Sequence, residues 1–244
     1  MIEVYDSHLH MGMLSDMCIV HPKEVLSFIN KYHVKGGVIM PTARIDGGDN
    51  LILYSALYEA SDALGFKTAL YVNREVLNAY KDGIQFENHF CAMKIHLEAI
   101  DYNEQELNDI CIMASDLKLP LLIHTSAYAN CRSSMFEKII GNNTNQKFIL
   151  CHARPNEEAL SIMERYSNVW IDTAFLSVGN LKTFVSHGFE DKILFGSDYP
   201  INRWYFDVDD ALWYQGLIYS ILHNFSKNIA VKLLRDNYLN LFNN

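Results

Sequence analysis

Only five cysteines and five prolines occur in 244 residues, and no two cysteines stand in a C-x-x-C spacing. An odd count without that spacing argues against a disulfide scaffold or a zinc knuckle and reads as reduced, buried thiols. Basic runs are missing too: 20 Lys and Arg face 29 Asp and Glu, a formal net charge of −9 that leaves no footprint for nucleic acid. No apolar run approaches the roughly 20 residues that cross a bilayer. The opening Met1-Ile2-Glu3 lacks the basic-then-apolar order of a secretory leader. These absences point to a cytoplasmic protein with a small-molecule substrate, neither nucleic acid nor membrane as partner, and a homo-oligomer left open. Linkers rich in Pro or Ser are also absent, so residues 1–244 are expected to form one domain, with Gly47-Gly48 and Gly141-Asn142-Asn143 as turns inside it.

Half of the residues are hydrophobic, enough for a large core. Short apolar runs alternate with amphipathic stretches, the pattern of repeated βα units. Strands are expected at 2–7, 37–40, 68–72, 91–95, 119–123, 147–151, 169–172 and 192–195. Between them, Val25, Phe28, Ile29 and Tyr32 share a helical face, as do Leu107, Ile110, Cys111, Ala114 and Leu117 within 104–117, and Ala159, Leu160, Met163 and Tyr166 within 156–166. The third unit shows only a hint of helix over 75–88. Two more helices are expected at 209–222 and 226–234, the second capped by Ser226. Eight strands alternating with helices predict an α/β fold, a (β/α)8 TIM-like barrel, whose functional residues gather at the C-terminal strand ends.

The strand ends are where the chemistry lies. His8 and His10 in Asp6-Ser7-His8-Leu9-His10 are spaced to point the same way from one strand. Three further apolar runs end in a metal-competent side chain: Leu121-Leu122-Ile123-His124, Ile149-Leu150-Cys151-His152, and Leu194-Phe195-Gly196-Ser197-Asp198. In a barrel these would meet above one mouth. D-S-H-L-H at the first strand, I-H at the fifth, C-H at the sixth and F-G-S-D-Y-P at the eighth resemble the amidohydrolase superfamily, in its amidohydrolase-related branch. Asn237-Tyr238-Leu239-Asn240-Leu241-Phe242 is similar to the N-x-x-R-L-F tail of that branch.

The resemblance implies His8, His10, His124 and Asp198 as ligands of one divalent ion, most often Zn2+, with His152 beside it as acid/base or substrate contact. Three imidazoles and a carboxylate equally suit Mn, Fe or Ni. Zinc keeps a position for water and lowers its pKa to about 7. Asp198 is then expected to be the general base. Lys94 and His96 share a face of the fourth strand. In some superfamily members a carboxylated lysine there bridges two metals; Lys94 is read instead as an ion-pair partner of a mouth carboxylate, and His96 as a substrate contact or a polar cap. Arg154, two past His152, is placed to clamp a carboxylate if the strand continues. Asp172 is read as a loop-orienting acceptor, while Arg44, Arg74, Tyr128, Arg132, Tyr199 and Arg203 fall in loops over the mouth, and His21, His33, His89, His187 and His223 are structural or exposed. The expected function is a metal-dependent hydrolase of an amide, ester or lactone. The alternatives are a metal-dependent non-oxidative decarboxylase of an unsaturated or aromatic acid, or a catalytically idle barrel.

Overall fold

The structure, a computed structural model, describes residues 2–15, 18–41, 59–86 and 90–242. Arg44, Gly47-Gly48 and His89 lie outside the described residues. Ten strands are formed: β1 Val4–His10, β2 Gly12–Ser15, β3 Cys18–Val20, β4 Val34–Met40, β5 Lys67–Tyr71, β6 Phe90–Ile95, β7 Leu121–His124, β8 Phe148–Cys151, β9 Val169–Asp172 and β10 Ile193–Leu194. Eight of them make one parallel sheet in the order β1-β4-β5-β6-β7-β8-β9-β10, and β2 and β3 form a separate antiparallel hairpin. The expected (β/α)8 barrel is present, nearly closed. The hairpin has no counterpart in the sequence reading. β1 also runs three residues past its expected end, so His8 and His10 are strand residues, not residues beyond one.

Closure occurs between β1 and the segment after β10. The Ser7 amide donates to the Phe195 carbonyl at 2.8 Å, the Asp198 amide to His8 at 2.9 Å, and the His10 amide to Tyr199 at 2.8 Å. Every second residue on the strands points inward: Val38 and Met40, Ala69, Ala92, Leu122, Ile149 and Cys151, and Leu194 form an inner core. Tyr238, Leu241 and Phe242, on the helix Asn237–Phe242, join this inner core, with Tyr238 stacked on Tyr5 at 5.1 Å. A larger outer core packs helices on the barrel's outside.

Local signals account for the helices. Asn103 and Glu106 form a capping box at the start of Glu104–Asp116, Asn73 caps Arg74–Lys81, and Ser226 caps Lys227–Val231. Two faces are corrected. In Glu104–Asp116 Met113 is buried where Leu107 and Leu117 are only half-buried, and in Asn156–Arg165 Ile162 takes the place given to Leu160. The helix of the third unit ends at Lys81, and the last helical region contains π-helical turns at Ala211–Gln215 and Lys232–Asp236, each with one backbone step more than the 3.6-residue pattern allows for. Of the cysteines, Cys111, Cys131 and Cys151 are buried and free, and Cys91 is half-buried. Among the described residues no helix is long and apolar enough to cross a membrane.

Two contacts hold β1, one against β4 and one across the seam. Gly37 pairs with Asp6, and a Cβ there would lie 2.2 Å from the Asp6 carbonyl oxygen. Gly37→Ala must therefore push β4 off β1. Overpacking of this kind costs about 1–3 kcal/mol, so the melting temperature is expected to drop by several degrees in calorimetry.

Asp6 itself is fully buried, with Oδ1 accepting the His8 and Ser197 amides at 3.0 Å each and Oδ2 unpartnered. Burial pushes its pKa up to about 7, against the pull of the hydrogen bonds from Ser197 and His8. From the ordinary carboxylate pKa of 3.8 up to about 7 the native state then binds more protons than the unfolded chain, so this group's stabilising effect is lost as pH rises through that window. Asp6→Asn keeps an acceptor for both amides and cannot ionise. In chelator-treated protein, the difference in melting temperature between wild type and Asp6→Asn should shift against the wild type as pH rises across that window; a pH-independent difference would contradict the buried, proton-binding Asp6.

Candidate metal centre

Alternation along β1 turns His8 and His10 to the barrel mouth, where Asp198 arrives from across the seam. Asp198 lies four residues past the end of β10 and takes its direction from a left-handed φ of 58°. The result is a tight group of bases. His8 Nε2 is 3.2 Å and His10 Nε2 2.7 Å from the same oxygen, Asp198 Oδ1. All three residues are buried, and their ligand atoms lie within 4.8 Å of one another. Gly196 makes the approach feasible, since a Cβ there would stand 3.0 Å from that of His8 and 3.2 Å from that of Asp172.

The far nitrogen of each imidazole is occupied. His8 Nδ1 lies 2.7 Å from Asp172 Oδ2, and His10 Nδ1 lies 3.3 Å from the Met40 carbonyl. Both acceptors favour a proton on Nδ1, which leaves the two Nε2 lone pairs facing a carboxylate. Three Lewis bases converging in this way fit a divalent cation between them. The protonation states agree with that: burial, then the Lys94 charge, pushes His8 well below the ordinary imidazole range despite Asp198. Burial alone would raise Asp198, but its contacts with His8 and His10 and the Lys94 charge hold its pKa at about 2. A neutral imidazole at His8 and an ionised carboxylate at Asp198 are the forms that ligate.

His124 is not in this group. Its Nδ1 is 3.1 Å from His152 Nε2, and its Nε2 is 3.5 Å from Glu98 Oε1. His152 stands between, with Nε2 3.9 Å from Asp198 Oδ2. Burial, then the His124 charge, pushes His152 far down, and burial lowers His124 against the hydrogen bond to Glu98. His96 stacks on His124 with ring centres 3.7 Å apart. His152 reaches the site by a route that alternation does not supply, because Cys151 already points inward; a φ of 68° at His152 turns its side chain back.

The same left-handed turn, continued by Ala153 at 47°, corrects the reasoning for Arg154: the strand ends at Cys151, so His152 and Arg154 share no strand face. Arg154 nonetheless lies at the mouth, its guanidinium 5.4 Å from the Phe175 ring, which packs 5.6 Å from His152 and 5.0 Å from Trp213. No carboxylate of the described residues lies within 4.0 Å of it. The other mouth arginines are committed: Arg74 to Glu106, Arg132 to Glu158 and Arg203 to Asp210. Tyr199 leaves the mouth altogether and stacks on Phe28 at 3.8 Å. Lys94 is corrected as well. Among the described residues it has no carboxylate within 4.0 Å; its Nζ donates to Cys151 Sγ at 3.0 Å and lies 3.5 Å from His8 Nε2. His21, His33, His187 and His223 serve outside the site, at helix ends, against Glu164 and against Tyr219.

Sequence reasoning missed Glu98, Phe175 and Trp213. Glu98, two residues past His96, carries a weak signal of shared direction; Phe175 and Trp213 carry none, since a φ of 56° at Phe175 and a π-helical turn at Trp213 place them.

Comparison with known proteins agrees with the fold. Three solved structures illustrate it. A protein described as a 2-pyrone-4,6-dicarboxylic acid hydrolase, from Pseudomonas putida, is 14% identical over 100% of this chain and 98% of that one, with a TM-score of 0.74. The apo IDCase of Metarhizium anisopliae is 11% identical over 99% and 97%, with a TM-score of 0.70. The 4-oxalomesaconate hydratase of Rhodopseudomonas palustris is 14% identical over 98% and 95%, with a TM-score of 0.68. Curated proteins yield no sequence match. The amidohydrolase family model matches residues 59–237, more than half of the sequence and inclusive of the third to eighth barrel strands. The chain belongs to the amidohydrolase family.

Proposed function

We propose that residues 1–244 form one amidohydrolase domain, a metal-dependent hydrolase that cleaves an amide, ester or lactone bond of a small molecule. The observation that carries the reading is the convergence of His8 Nε2, His10 Nε2 and the Asp198 carboxylate, with both Nδ1 atoms held by oxygen acceptors. His124, lowered by burial and set apart from these three against His152 and Glu98, is the fourth donor in this reading. A divalent ion, zinc being the common choice for such donors, supplies Lewis acidity and makes a water acidic near neutral pH.

Asp198 does the proton work. Ionised and buried, its carboxylate accepts a proton from the attacking water and passes it to the leaving group. His152, neutral and within 3.9 Å of Asp198 Oδ2, donates a hydrogen bond to the oxygen on which charge develops. His96 and Arg154 contact substrate from the mouth. Lys94, 2% exposed and bonded to Cys151, supports the floor beneath the ligands.

One observation favours a second reading. The guanidinium of Arg154, with no carboxylate of the described residues within 4.0 Å and set over the Phe175 ring, suits a flat carboxylic acid, as a non-oxidative decarboxylase requires.

Metal analysis of the purified protein should return close to one equivalent per chain, and a screen of lactones, amides, esters and carboxylic acids should separate the two readings by product. On the substrate so found, Asp198→Asn is expected to lose at least about 10²-fold in kcat, as removal of a general base does. His152→Asn should lose turnover while keeping its metal. Near wild-type turnover by Asp198→Asn, or a wild type that takes up no metal, would overturn the mechanism.

A further inference from the structure

Asp172 sits at the end of β9 and is 1% exposed, and neither of its oxygens is idle. Oδ2 is 2.7 Å from His8 Nδ1. Oδ1 accepts the backbone amide of His152 at 2.8 Å and that of Ala174 at 3.1 Å. The amide it holds at His152 belongs to the residue whose left-handed φ of 68° turns that imidazole toward Asp198. One carboxylate thus touches the ring of one site histidine and the backbone of another.

A carboxylate oxygen only accepts, so the proton between Asp172 and His8 belongs to Nδ1. The opposite edge of the same ring agrees. Lys94 Nζ lies 3.5 Å from His8 Nε2, and an ammonium only donates, so Nε2 is left as an acceptor. Asp198 Oδ1 competes for that proton from 3.2 Å off Nε2, but Asp172 Oδ2 is closer to Nδ1, at 2.7 Å, and the shorter contact sets the tautomer. We infer that Asp172 is a positioning residue that locks His8 as the Nδ1–H tautomer, with its Nε2 lone pair aimed into the site, and fixes the His152 backbone with its other oxygen. This rests on the reading of His8 as a ligand for its consequence in metal affinity, and on the geometry alone for the tautomer.

Asp172→Asn separates the two tasks. The amide oxygen can still accept the His152 and Ala174 amides, while the NH2 group faces His8 Nδ1 and demands an acceptor there. His8 is then driven to the Nε2–H tautomer, which closes its lone pair to an ion. Two-bond 1H–15N NMR on metal-free wild type should show His8 protonated on Nδ1, and the variant should show it on Nε2. Calorimetric titration with Zn2+ should show the affinity lower by about 10- to 100-fold, the usual effect of removing a partner behind a ligand histidine. A wild-type His8 protonated on Nε2 overturns the inference without recourse to a variant, as does Asp172→Asn with an unchanged His8 tautomer. If wild type takes up no zinc but the tautomer switches as described, Asp172 keeps its positioning role and the metal reading of the site falls.

Discussion

Closure of the sheet on itself is the constraint that the site depends on. His8 and His10 belong to the first strand and Asp198 to the segment beyond the last, so they can meet only if those two edges are joined. Three backbone hydrogen bonds, from the Ser7, Asp198 and His10 amides, make that join. Two of the three donors are themselves candidate ligands. Ligand geometry and barrel closure are therefore one set of contacts, and the missing side chain of Gly196 is what lets the two edges come close enough to form it.

Burying so many polar groups at a barrel mouth requires each to find a partner. Most do so in layers, although Asp6 Oδ2, His96 Nδ1 and His152 Nδ1 have no hydrogen-bond partner among the described residues. His8, His10 and Asp198 face one another; behind them stand Asp172, the Met40 carbonyl and Asp6. Lys94 and Cys151 lie beneath. Desolvation keeps His8 and His152 neutral, while the Lys94 charge and the imidazole contacts of Asp198 keep its carboxylate ionised in spite of burial. That opposition between a dry surrounding and a charged neighbour is what readies one mouth both for binding a cation and for taking up a proton.

What could be read from the residues depended on strand periodicity. It found the eight barrel strands, because buried parallel strands are short continuous apolar runs, and it found His8 and His10, because two residues apart on a strand means one direction. It stopped where the backbone leaves the β region. His152, Phe175 and Asp198 all carry positive φ, so their directions come from left-handed turns that a residue pattern does not display. His152 and Asp198 were named from resemblance and from their place after a strand, whereas Phe175 went unseen. Partner choice was equally hidden: Lys94 offers the same ammonium to a carboxylate or to a thiol, and only the register of β6 against its neighbours puts Cys151 within reach. The commitment of Arg132 to Glu158 across 26 residues shows the same limit.

The seam also orders events in time. His10 and Asp198 are 188 residues apart in sequence yet share one contact. As the chain emerges during synthesis, the first strand must wait for nearly all of the others before its outer edge finds a partner, exposing unpaired backbone and two bare imidazoles meanwhile. Contacts of such separation make folding slow, since the entropy of closing the loop is lost before the contact returns anything. The mouth therefore needs both ends of the barrel sheet, and no truncated portion ending before β10 can hold these three side chains together.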